Sequence, residues 1–439
     1  MAELQKNDIL TLTTGGYSSE GQGVARADGR VVFIKGAVSG ETVSARILKT
    51  GKNAAFAKVE AVLEASAERI VPLCPVYGKC GGCDFGHMSY AEELRAKRTR
   101  VADAFRKFAG AEPELAAVNP SPLTEKYRNK AVFEVGKTAS GECVTGFYRK
   151  NSHDIVPCER CLLQSGAANS AAEALRAWSD KHGDASARRL FVRSGERGVQ
   201  VVLEARNKPR NTAEFTAAVR EYVPGATSVM LCVSRGESNV ALAGGFSVLY
   251  GADYFEDTLC GSVFRLSPTA FYQVNRLQAE RLYDCAVAFA DLRPGDTALD
   301  MYCGAGTITL ALAKSGASVY GAEIVPEAVL NARENAERNG AANAAFVCAD
   351  AEDAAARFAG ERIPPKTVVV DPPRKGLAPG TVAEIAAMTG RVVYVSCDPA
   401  TLARDVKLFA ERGFSLRNVK MFDMFPRTAH IECAALLER

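Results

Sequence analysis

A thiol and a carboxylate near the carboxyl terminus each follow directly after an apolar run. Cys397 comes after RVVYVS (391–396), and Asp371 comes after the run VVV that begins at residue 368. In an open α/β sheet the ligand crevice lies outside the carboxyl ends of the strands, so both side chains are expected to project into one crevice. A thiol there would lie beside a bound ligand, whereas a core thiol that happens to end a strand is the structural alternative.

A glycine-rich turn, DMYCGAGT (300–307), precedes these residues and follows a strand-like run. Glycines let the backbone turn tightly beneath a ligand at the start of the next helix. Glu323 ends the next strand about 20 residues later, where a carboxylate can bind both ribose hydroxyls of a nucleoside, and Asp350 ends the third strand, within reach of an adenine. The turn lacks the third glycine of a dinucleotide site, which favours S-adenosylmethionine; a routine tight turn is the alternative.

The cysteines supply a second candidate site. Thirteen of them, an odd number spread along the chain, argue against a disulfide framework and for metal, cluster or catalytic thiols. Cys74, Cys80 and Cys83 form a C-x5-C-x2-C segment with glycines between them, and Cys158 and Cys161 form a second C-x2-C pair. The two C-x2-C pairs could build a tetrahedral zinc site, and thiols of this kind could equally hold an iron–sulfur cluster. Spacing alone does not separate the two.

Three regions of different pattern must position these residues. Residues 1–62 contain short alternating strands broken by Gly-rich turns, which predicts a small β-barrel. Residues 63–262 contain the first cysteine segment, a helix at about 90–108 and then mostly strands, which indicates an α+β central domain. Residues 263–439 alternate strand and helix, the pattern of a doubly wound α/β domain with a mostly parallel sheet. The helix at 90–108 is expected to bridge to that last domain.

Charge and hydropathy say more about where the protein is located in the cell than about which molecule it binds. The net charge is only +3, so composition by itself does not indicate nucleic acid binding. Basic clusters at 46–58 and 95–107 are compatible with RNA binding and equally with solvated faces. The sequence has neither a secretory signal pattern nor an apolar run of the ~18 residues that a membrane span needs. We therefore expect a cytoplasmic monomer without membrane contact.

Five motifs occur together in this chain: SCDP, DPPRKGL, DMYCGAG, FYQVN (271–275) and HIE (430–432). The set resembles the RNA uracil-5-methyltransferase family, and the resemblance covers the whole chain. YSSEGQGVA near the amino terminus resembles the family's TRAM domain, while YRNK (127–130) and GFYRKNSHDIV (146–156) resemble its central domain. The resemblance implies a multidomain enzyme: an N-terminal TRAM, OB-like β-barrel, an α+β central domain with an iron–sulfur cluster, and a C-terminal α/β Rossmann-like methyltransferase domain that binds S-adenosylmethionine.

The same resemblance assigns roles to the candidate residues. Cys397 would add to C6 of uracil, which makes C5 nucleophilic enough to take a methyl group, and Glu432 would be the base that removes the C5 proton. The remaining contacts to the methyl donor or the target base would come from Gln273, Tyr302, Glu323 and Asp371. Asp371 could serve either of them. His430 is assigned a structural role, as is usual for a lone histidine beside a strand.

The resemblance also implies a second cofactor and an RNA partner. A [4Fe-4S] cluster would be held by Cys74, Cys80, Cys83 and Cys161, which leaves Cys158 as an extra thiol. Family members that carry both barrel and cluster mostly act on large-subunit ribosomal RNA, so 23S ribosomal RNA is the expected substrate and transfer RNA the alternative. The target uridine must be flipped out of the folded RNA to expose C6.

Two other functions share some of these sequence features. An RNA cytosine-5-methyltransferase typically carries the attacking thiol in a T-C motif and a second cysteine after Asp-Pro, but here Asp371 is followed by Pro372, Pro373 and Arg374. A non-catalytic RNA-binding protein could keep a cofactor fold without its chemistry. The presence of both Cys397 and Glu432 argues against that alternative.

Overall fold

The computed structural model describes residues 4–236, 240–360 and 364–439, so the first three residues of the predicted barrel lie outside the described residues. The N-terminal region is a five-stranded sheet in the order β1-β4-β5-β3-β2. Its strands are β1 Ile9–Thr13, β2 Gly23–Ala27, β3 Arg30–Lys35, β4 Thr42–Thr50 and β5 Ala54–Glu64. The segment after β1 bonds to β2 through Gly15 N to Val24 O (2.8 Å) and Val24 N to Gly16 O (3.0 Å), which closes the sheet.

Alternating side chains fill this barrel. Val32 and Ile34 of β3 and Val43 and Ile47 of β4 are fully buried, and they alternate with partly exposed or exposed neighbours. That period of two is what a strand with one face on a core requires. Outside the barrel, Arg69 Nη2 donates to Oε2 of the buried Glu41 at 2.6 Å, so the barrel is tied to the chain that follows it.

The first helix connects the chain that follows the N-terminal barrel to the C-terminal domain. Helix α1 spans Tyr90–Ala104 and continues as a π-helical turn over 105–109, which confirms the helix predicted at 90–108. Ser89 caps it by accepting a hydrogen bond from Glu92 N. Val101 and Phe105 are fully buried in the core of the C-terminal domain. The helix therefore packs on that domain.

The central domain is built on a seven-stranded sheet in the order β12-β11-β10-β9-β6-β7-β8. Its elements are β6 Lys130–Lys137, β7 Cys143–Tyr148, β8 Ile155–Pro157, α2 Gly166–His182, β9 Ala187–Gly195, β10 Gly198–Ala205, α3 Thr212–Tyr222, β11 Ala226–Val233 and β12 Gly245–Gly251. Leu175 and Trp178 of α2 and Phe215 of α3 pack against Leu190 and Val201, so the two helices cover one face of the sheet.

A hairpin corrects the predicted domain boundary at 262/263. Strands β13 Phe255–Leu259 and β14 Ser262–Leu266 pair antiparallel, from Phe255 opposite Leu266 to Leu259 opposite Ser262, so the boundary falls inside one unit. The hairpin buries Phe264 in the same core as Leu282 of the first helix that follows. No sequence pattern marked it, because two short alternating strands look alike at the end of one domain and at the start of the next.

The C-terminal domain is a three-layer α/β fold with sheet order β17-β16-β15-β18-β19-β21-β20. Its further elements are α4 Arg276–Ala290, β15 Thr297–Met301, α5 Thr307–Ala313, β16 Ser318–Glu323, α6 Pro326–Arg338, β17 Ala344–Cys348, α7 Ala351–Gly360, β18 Thr367–Val370, α8 Pro379–Met388, β19 Arg391–Ser396, α9 Pro399–Ala410, β20 Ser415–Phe422 and β21 Glu432–Glu438. Strands β15 to β19 are parallel, and β21 runs antiparallel between β19 and β20. Helices cover both faces, as continuous apolar strands require.

A buried lysine ties α1 to the far end of this sheet. Lys97 Nζ donates to Glu93 Oε1 at 2.7 Å, to Asp423 Oδ1 at 2.6 Å and to Phe425 O at 3.1 Å. The Tyr90 hydroxyl donates to the other oxygen of Asp423 at 2.7 Å. Lys97 is 1% exposed, and Glu93 and Asp423 are completely buried. Charges this deep are tolerated because each is paired.

Replacing Lys97 by Met should therefore lower the stability of the domain by ~3–5 kcal/mol, because the buried Asp423 would lose its cation and the buried Glu93 would keep only its longer ion pair with Arg427 at 3.7 Å. Thermal unfolding followed by circular dichroism measures this as a midpoint several degrees lower. Adding Glu93→Gln and Asp423→Asn to Lys97→Met should recover part of the loss.

The matched control is Arg106→Met on the same helical segment, because the ion pairs of Arg106 with Asp103 and Glu112 lie on the surface. That variant should leave the unfolding midpoint unchanged. Equal midpoints for Lys97→Met and Arg106→Met would contradict a stabilising role for the buried pairs.

Candidate active site

The predicted site residues lie along one edge of the C-terminal sheet. Tyr302, Asp371 and Cys397 directly follow β15, β18 and β19, and Glu323 is the last residue of β16. The chain adds β16 and β17 on one side of β15 and then returns to add β18 and β19 on its other side. The crevice at that switch point, outside the carboxyl ends of the strands, is where open α/β sheets bind ligands.

Cys397 and Glu432 are brought together by the antiparallel pairing of β19 with β21. Ser396, the last residue of β19, pairs with Cys433 of β21, so the register carries Cys397 to the position opposite Glu432. Asp398 caps α9 by accepting from Ala400 N at 2.8 Å, which holds the backbone just after the thiol. Burial, the largest cause, and the charges of Glu432 and Asp371 together raise the pKa of Cys397 to about 11.

Two carboxyl groups share the crevice with this thiol. Glu432 is 4% exposed and Asp371 is partly buried. Burial raises the pKa of Asp371 to about 7, and burial together with the charge of Asp371 raises the pKa of Glu432 well above its usual range. Two carboxylates cannot both be charged cheaply at close range, so the pair holds at least one proton near neutral pH. A carboxylate with a raised pKa is also the stronger base.

Two arginines oppose these negative charges, and the sequence reasoning gave neither a role in the site. Arg374 lies in DPPRKGL, and its charge lowers the pKa of both Cys397 and Glu432. Arg100 comes from α1, donates to Ala429 O, and lies within electrostatic range of Cys397 and Asp398. Arg374 could have been found from its motif. Arg100 could not, because its basic run reads equally well as a solvated face.

The glycine-rich turn after β15 is held open by unusual backbone angles and one carboxylate. Gly304 and Gly306 have φ of 54° and 85°, a region that favours glycine, and Tyr302 shares it at 69°. Glu323 accepts hydrogen bonds from Gly304 N at 3.2 Å and from Val325 N at 2.9 Å. Because Glu323 is only partly buried, it can still face a ligand across the turn.

Asp300 belongs to this site although no role was predicted for it. It is completely buried, and its Oδ2 accepts from Thr309 Oγ1 at 2.6 Å, while Oδ1 has no hydrogen-bond partner among the described residues. Burial, the largest cause, and the charges of Asp371 and Glu323 together raise the pKa of Asp300 to about 7. An orphaned carboxyl oxygen amid further carboxylates fits S-adenosylmethionine, because that cofactor carries a positive sulfonium and a positive amine.

Gln273 and Asp371 converge on the Tyr283 hydroxyl. Gln273 is 6% exposed, and its side chain lies beside that hydroxyl. Burial is the largest cause of the raised pKa of Tyr283, and the charge of Asp371 is the next. The Tyr283 hydroxyl also lies 3.2 Å from Thr307 Oγ1 at the start of α5. Asn129 of the central domain donates to Gln273 O at 2.9 Å, which fixes the loop. The predicted Gln273 thus lies between the glycine-rich turn and Asp371.

Asp350 is placed less centrally than the other predicted residues. It is exposed, and its Oδ1 accepts from Asp353 N at 2.8 Å, which caps the first turn of α7. Burial raises the pKa of Tyr302, and the charge of Asp350 adds to this shift, so the two side chains are neighbours. A contact of Asp350 with an adenine remains a prediction.

The cysteine segment forms a separate group of thiols. Burial, the largest cause, and the charges of Cys161, Cys80 and Cys74 together raise the pKa of Cys83 to about 12. Cys74, Cys83 and Cys161 line a cavity of about 60 Å³. The buried Cys158 also lies within electrostatic range of Cys161, Cys74 and Cys80. Over the described ranges, no three His, Cys, Asp or Glu side chains are close enough to hold one metal ion.

Helix length gives one further constraint. In the part of the chain that the structure describes, no helix combines the length and the apolar character needed to cross a bilayer.

Comparisons with known proteins agree with this architecture. The sequence model of the tRNA (uracil-5-)-methyltransferase family matches residues 240–439, which include the hairpin β13–β14, and the TRAM domain model matches residues 4–59. The chain is 38% identical to an uncharacterized RNA methyltransferase of Streptococcus mutans over 99% of both chains. It is 33% identical to an uncharacterized RNA methyltransferase of Clostridium acetobutylicum, covering 99% of this chain and 98% of the relative.

A solved structure extends the likeness to the whole fold. The Pyrococcus abyssi tRNA (uracil-54, C5)-methyltransferase in complex with S-adenosyl-L-homocysteine superposes with a TM-score of 0.78 at 25% identity, over 97% of this chain and 99% of that one. The superposed protein thus binds the product form of the cofactor for which Asp300 and Glu323 are suited. Given these relatives and the TRAM barrel at its amino terminus, the chain belongs to the RNA uracil-5-methyltransferase family and is an S-adenosylmethionine-dependent RNA methyltransferase.

Proposed function

We propose that this enzyme methylates C5 of a uridine in folded RNA through a transient covalent bond between Cys397 and C6 of the base. The observation that carries the proposal is the register that sets Cys397 opposite Glu432, with Asp371 and Arg374 beside them. A nucleophile and a base on facing strands can act on the two adjacent ring carbons, C6 and C5, of one base lying between them.

The thiol must first lose its proton to solvent water, and Arg374 stabilises the resulting thiolate while Glu432 and Asp371 oppose it. The Cys397 sulfur then bonds to C6, and the electrons of the C5–C6 double bond move toward the C4 carbonyl to give an enolate. S-adenosylmethionine, when bound, supplies the methyl group that C5 takes. Glu432 removes the C5 proton, the double bond re-forms, and the sulfur–C6 bond breaks to free Cys397.

Asp300 and Glu323 would hold the methyl donor, and Gln273 and Asp371 would lie between donor and base. Asp371 and Glu432 share at least one proton before RNA binds, so one of the pair can donate a hydrogen bond to a carbonyl of the target base. Their burial keeps water from the enolate and strengthens each of these contacts.

Substitution of the two proposed catalytic residues should separate the two steps. Cys397→Ala should abolish methylation yet still bind S-adenosylmethionine, because the thiol has no part in holding the donor. Glu432→Gln should still transfer the methyl group but fail to remove the C5 proton, so a protein–RNA adduct should accumulate on denaturing gels. RNA that contains 5-fluorouridine should trap the unaltered enzyme in the same way, since fluorine replaces the proton that must leave.

Cys433→Ala is the matched control, because this neighbouring thiol is fully buried and faces the core. It should keep both methylation and the 5-fluorouridine adduct. If Cys397→Ala still formed either adduct, or if the unaltered enzyme formed none with 5-fluorouridine RNA, Cys397 would not be the nucleophile.

For the substrate we propose 23S ribosomal RNA, with transfer RNA as the second candidate. The support for ribosomal RNA is the resemblance to family members that combine the barrel with a cysteine segment. A specific observation favours the second candidate: the Pyrococcus abyssi enzyme, which acts on transfer RNA, is matched over 99% of its length by nearly the whole of this chain. The barrel therefore does not by itself distinguish the two substrates.

Mass mapping of 5-methyluridine in RNA from cells with and without this protein tests the choice. The expected result is loss of the modification at one or more uridines of 23S ribosomal RNA, with the transfer RNA pattern unchanged. Loss confined to transfer RNA would assign the second candidate, and the Cys397→Ala chain returned to the cells should restore neither.

We also propose that Cys74, Cys80, Cys83 and Cys161 hold a [4Fe-4S] cluster. Supporting it are the number and type of the donors, the small cavity that three of them line, and the Arg128 cation within range of Cys83 and Cys161. A mononuclear zinc site, with Zn–S bonds of ~2.3 Å, would need sulfurs within about 4 Å of one another. A cluster spreads its thiolates over four irons, which suits thiols that are near but not packed together.

Anaerobically purified protein should then be brown and carry about four iron atoms per chain by elemental analysis. Cys161→Ser should lose the iron, whereas Cys158→Ser, a change of the same kind in the same C-x2-C pair, should retain it. Stoichiometric zinc without iron would overturn the assignment. Equal iron in the two variants would remove Cys161 from the ligand set.

A further inference from the structure

Two cations of the central sheet lie face to face without an acid between them. Lys130 of β6 is directly opposite Arg193 of β9 in the antiparallel register, so their side chains point to the same face. Like charges in that position destabilise a sheet unless something of opposite charge joins them. No Asp or Glu of the described residues lies within ion-pair distance of either one.

Arg193 is the more unusual member of the pair. It is 2% exposed, yet only Nη2 has a partner, the carbonyl of Ala270, while Nε and Nη1 are buried with no hydrogen-bond acceptor among the described residues. The Phe191 ring lies 5.4 Å away and covers one side of the guanidinium. A buried guanidinium with two unused donors costs stability, so a protein that keeps one has a use for it.

The same strand provides a comparison. Arg189 points to the same face as Arg193 and is buried to the same degree, but it forms ion pairs with Glu134 at 3.0 Å and Glu204 at 3.5 Å. The row that holds Arg189 is therefore neutralised from both neighbouring strands. The row that holds Arg193 continues instead with the neutral Gln200 and Ser228. The missing counter-charge is confined to one end of the sheet.

The surroundings of Lys130 point to an anion as well. Burial, the largest cause, and the charges of Arg193 and Arg128 together lower the pKa of Lys130 to about 8. Lys130 is only partly buried, so the pair opens to solvent on its side. Arg193 Nε and Nη1 have no exposed surface, so an anion that lies against Lys130 would meet them only after a side-chain shift, in a place with little competing water where charge-assisted hydrogen bonds are strong.

This end of the sheet adjoins the candidate active site. Arg193 of β9 donates to the carbonyl of Ala270. Asn129, just before β6, donates to the carbonyl of Gln273, so this end of the sheet is hydrogen-bonded to the loop that carries Gln273. Phe271 in that loop is 65% exposed. An aromatic ring beside a cationic pair is the combination that binds a base and its phosphate in single-stranded RNA.

We propose that Lys130 and Arg193 form a binding site for one phosphate of the RNA backbone, adjacent to the target uridine. The proposal rests on the function proposed above and names the part of the RNA that this face holds. It explains why a buried row of the sheet keeps two positive charges without an acid. A flipped nucleotide needs its backbone fixed on the side away from the chemistry, and a charged pair beside the Gln273 loop does so.

The test uses the full-length holoenzyme and a fluorescein-labelled decauridylate as probe, with affinity measured by anisotropy over a range of salt concentrations. Lys130→Met and Arg193→Met should each weaken binding roughly tenfold. Each should also reduce the slope of log affinity against log salt by about 0.7, the value for one phosphate contact on a single strand. Arg197→Met, which removes an equal charge from an exposed ion pair with Glu256, should leave the slope unchanged.

Stability distinguishes a ligand site from a structural role. Arg193→Met should keep or raise the thermal midpoint of RNA-free protein, because it removes an unpaired buried charge. Should Arg193→Met fail to fold, Lys130→Met still decides, since Lys130 is partly exposed. An unchanged salt slope and affinity in Lys130→Met would overturn the proposal. So would a midpoint raised by millimolar inorganic phosphate together with unchanged decauridylate binding, because the site would then take a free anion.

The outcome is independent of the catalytic proposal. Cys397→Ala should bind decauridylate with the full salt slope, because the thiol makes no phosphate contact. If the unaltered enzyme formed no adduct with 5-fluorouridine RNA while Lys130→Met still lowered decauridylate affinity and salt slope, the mechanism would be rejected and the phosphate site kept. The reverse pattern would reject the phosphate site alone.

Discussion

The buried ion pairs of Lys97 are the constraint on which the arrangement of the active site depends. Lys97 joins Glu93 of its own helix to Asp423 just beyond β20, and it also donates to the carbonyl of Phe425. Since each charge would be costly alone, the helix can occupy one position only against the end of the sheet. That position brings Arg100, one turn further along α1, to the crevice that contains Cys397.

The chain between β20 and β21 is held from the cysteine segment as well. Asp84, next to Cys83, accepts from Ala429 N at 3.1 Å, and its own backbone N donates to the carbonyl of Arg427 at 2.9 Å. Glu93 accepts from Arg427 N at 2.7 Å. These contacts fix the turn that leads into Glu432. The cysteine segment and Glu432 are thus connected through the same turn.

Charge is divided within the crevice in a way that suits two different ligands. Asp300, Glu323 and Asp371 lie within electrostatic range of one another, and their combined field favours a cation such as the methyl donor. Arg374 and Arg100 act on Cys397, and Lys130 and Arg193 lie in the central sheet, where positive charge favours a polyanion. A net charge of +3 conceals this division, because opposite signs cancel in the sum while remaining separate in space.

The sequence by itself determined which strands end in chemically useful residues, because apolar runs, glycine turns and motif order are local properties. It placed Tyr302, Glu323, Asp371 and Cys397 at the carboxyl ends of parallel strands, and it identified the family. Only the tertiary structure decided which residues lie opposite each other on neighbouring strands. Glu432 faces Cys397 because β21 enters antiparallel in one register, and Arg193 lacks the acids that neutralise Arg189 because pairing depends on the register of three strands. Strand register is set by long-range packing and not by neighbours in the chain, so no reading of local pattern could have supplied it.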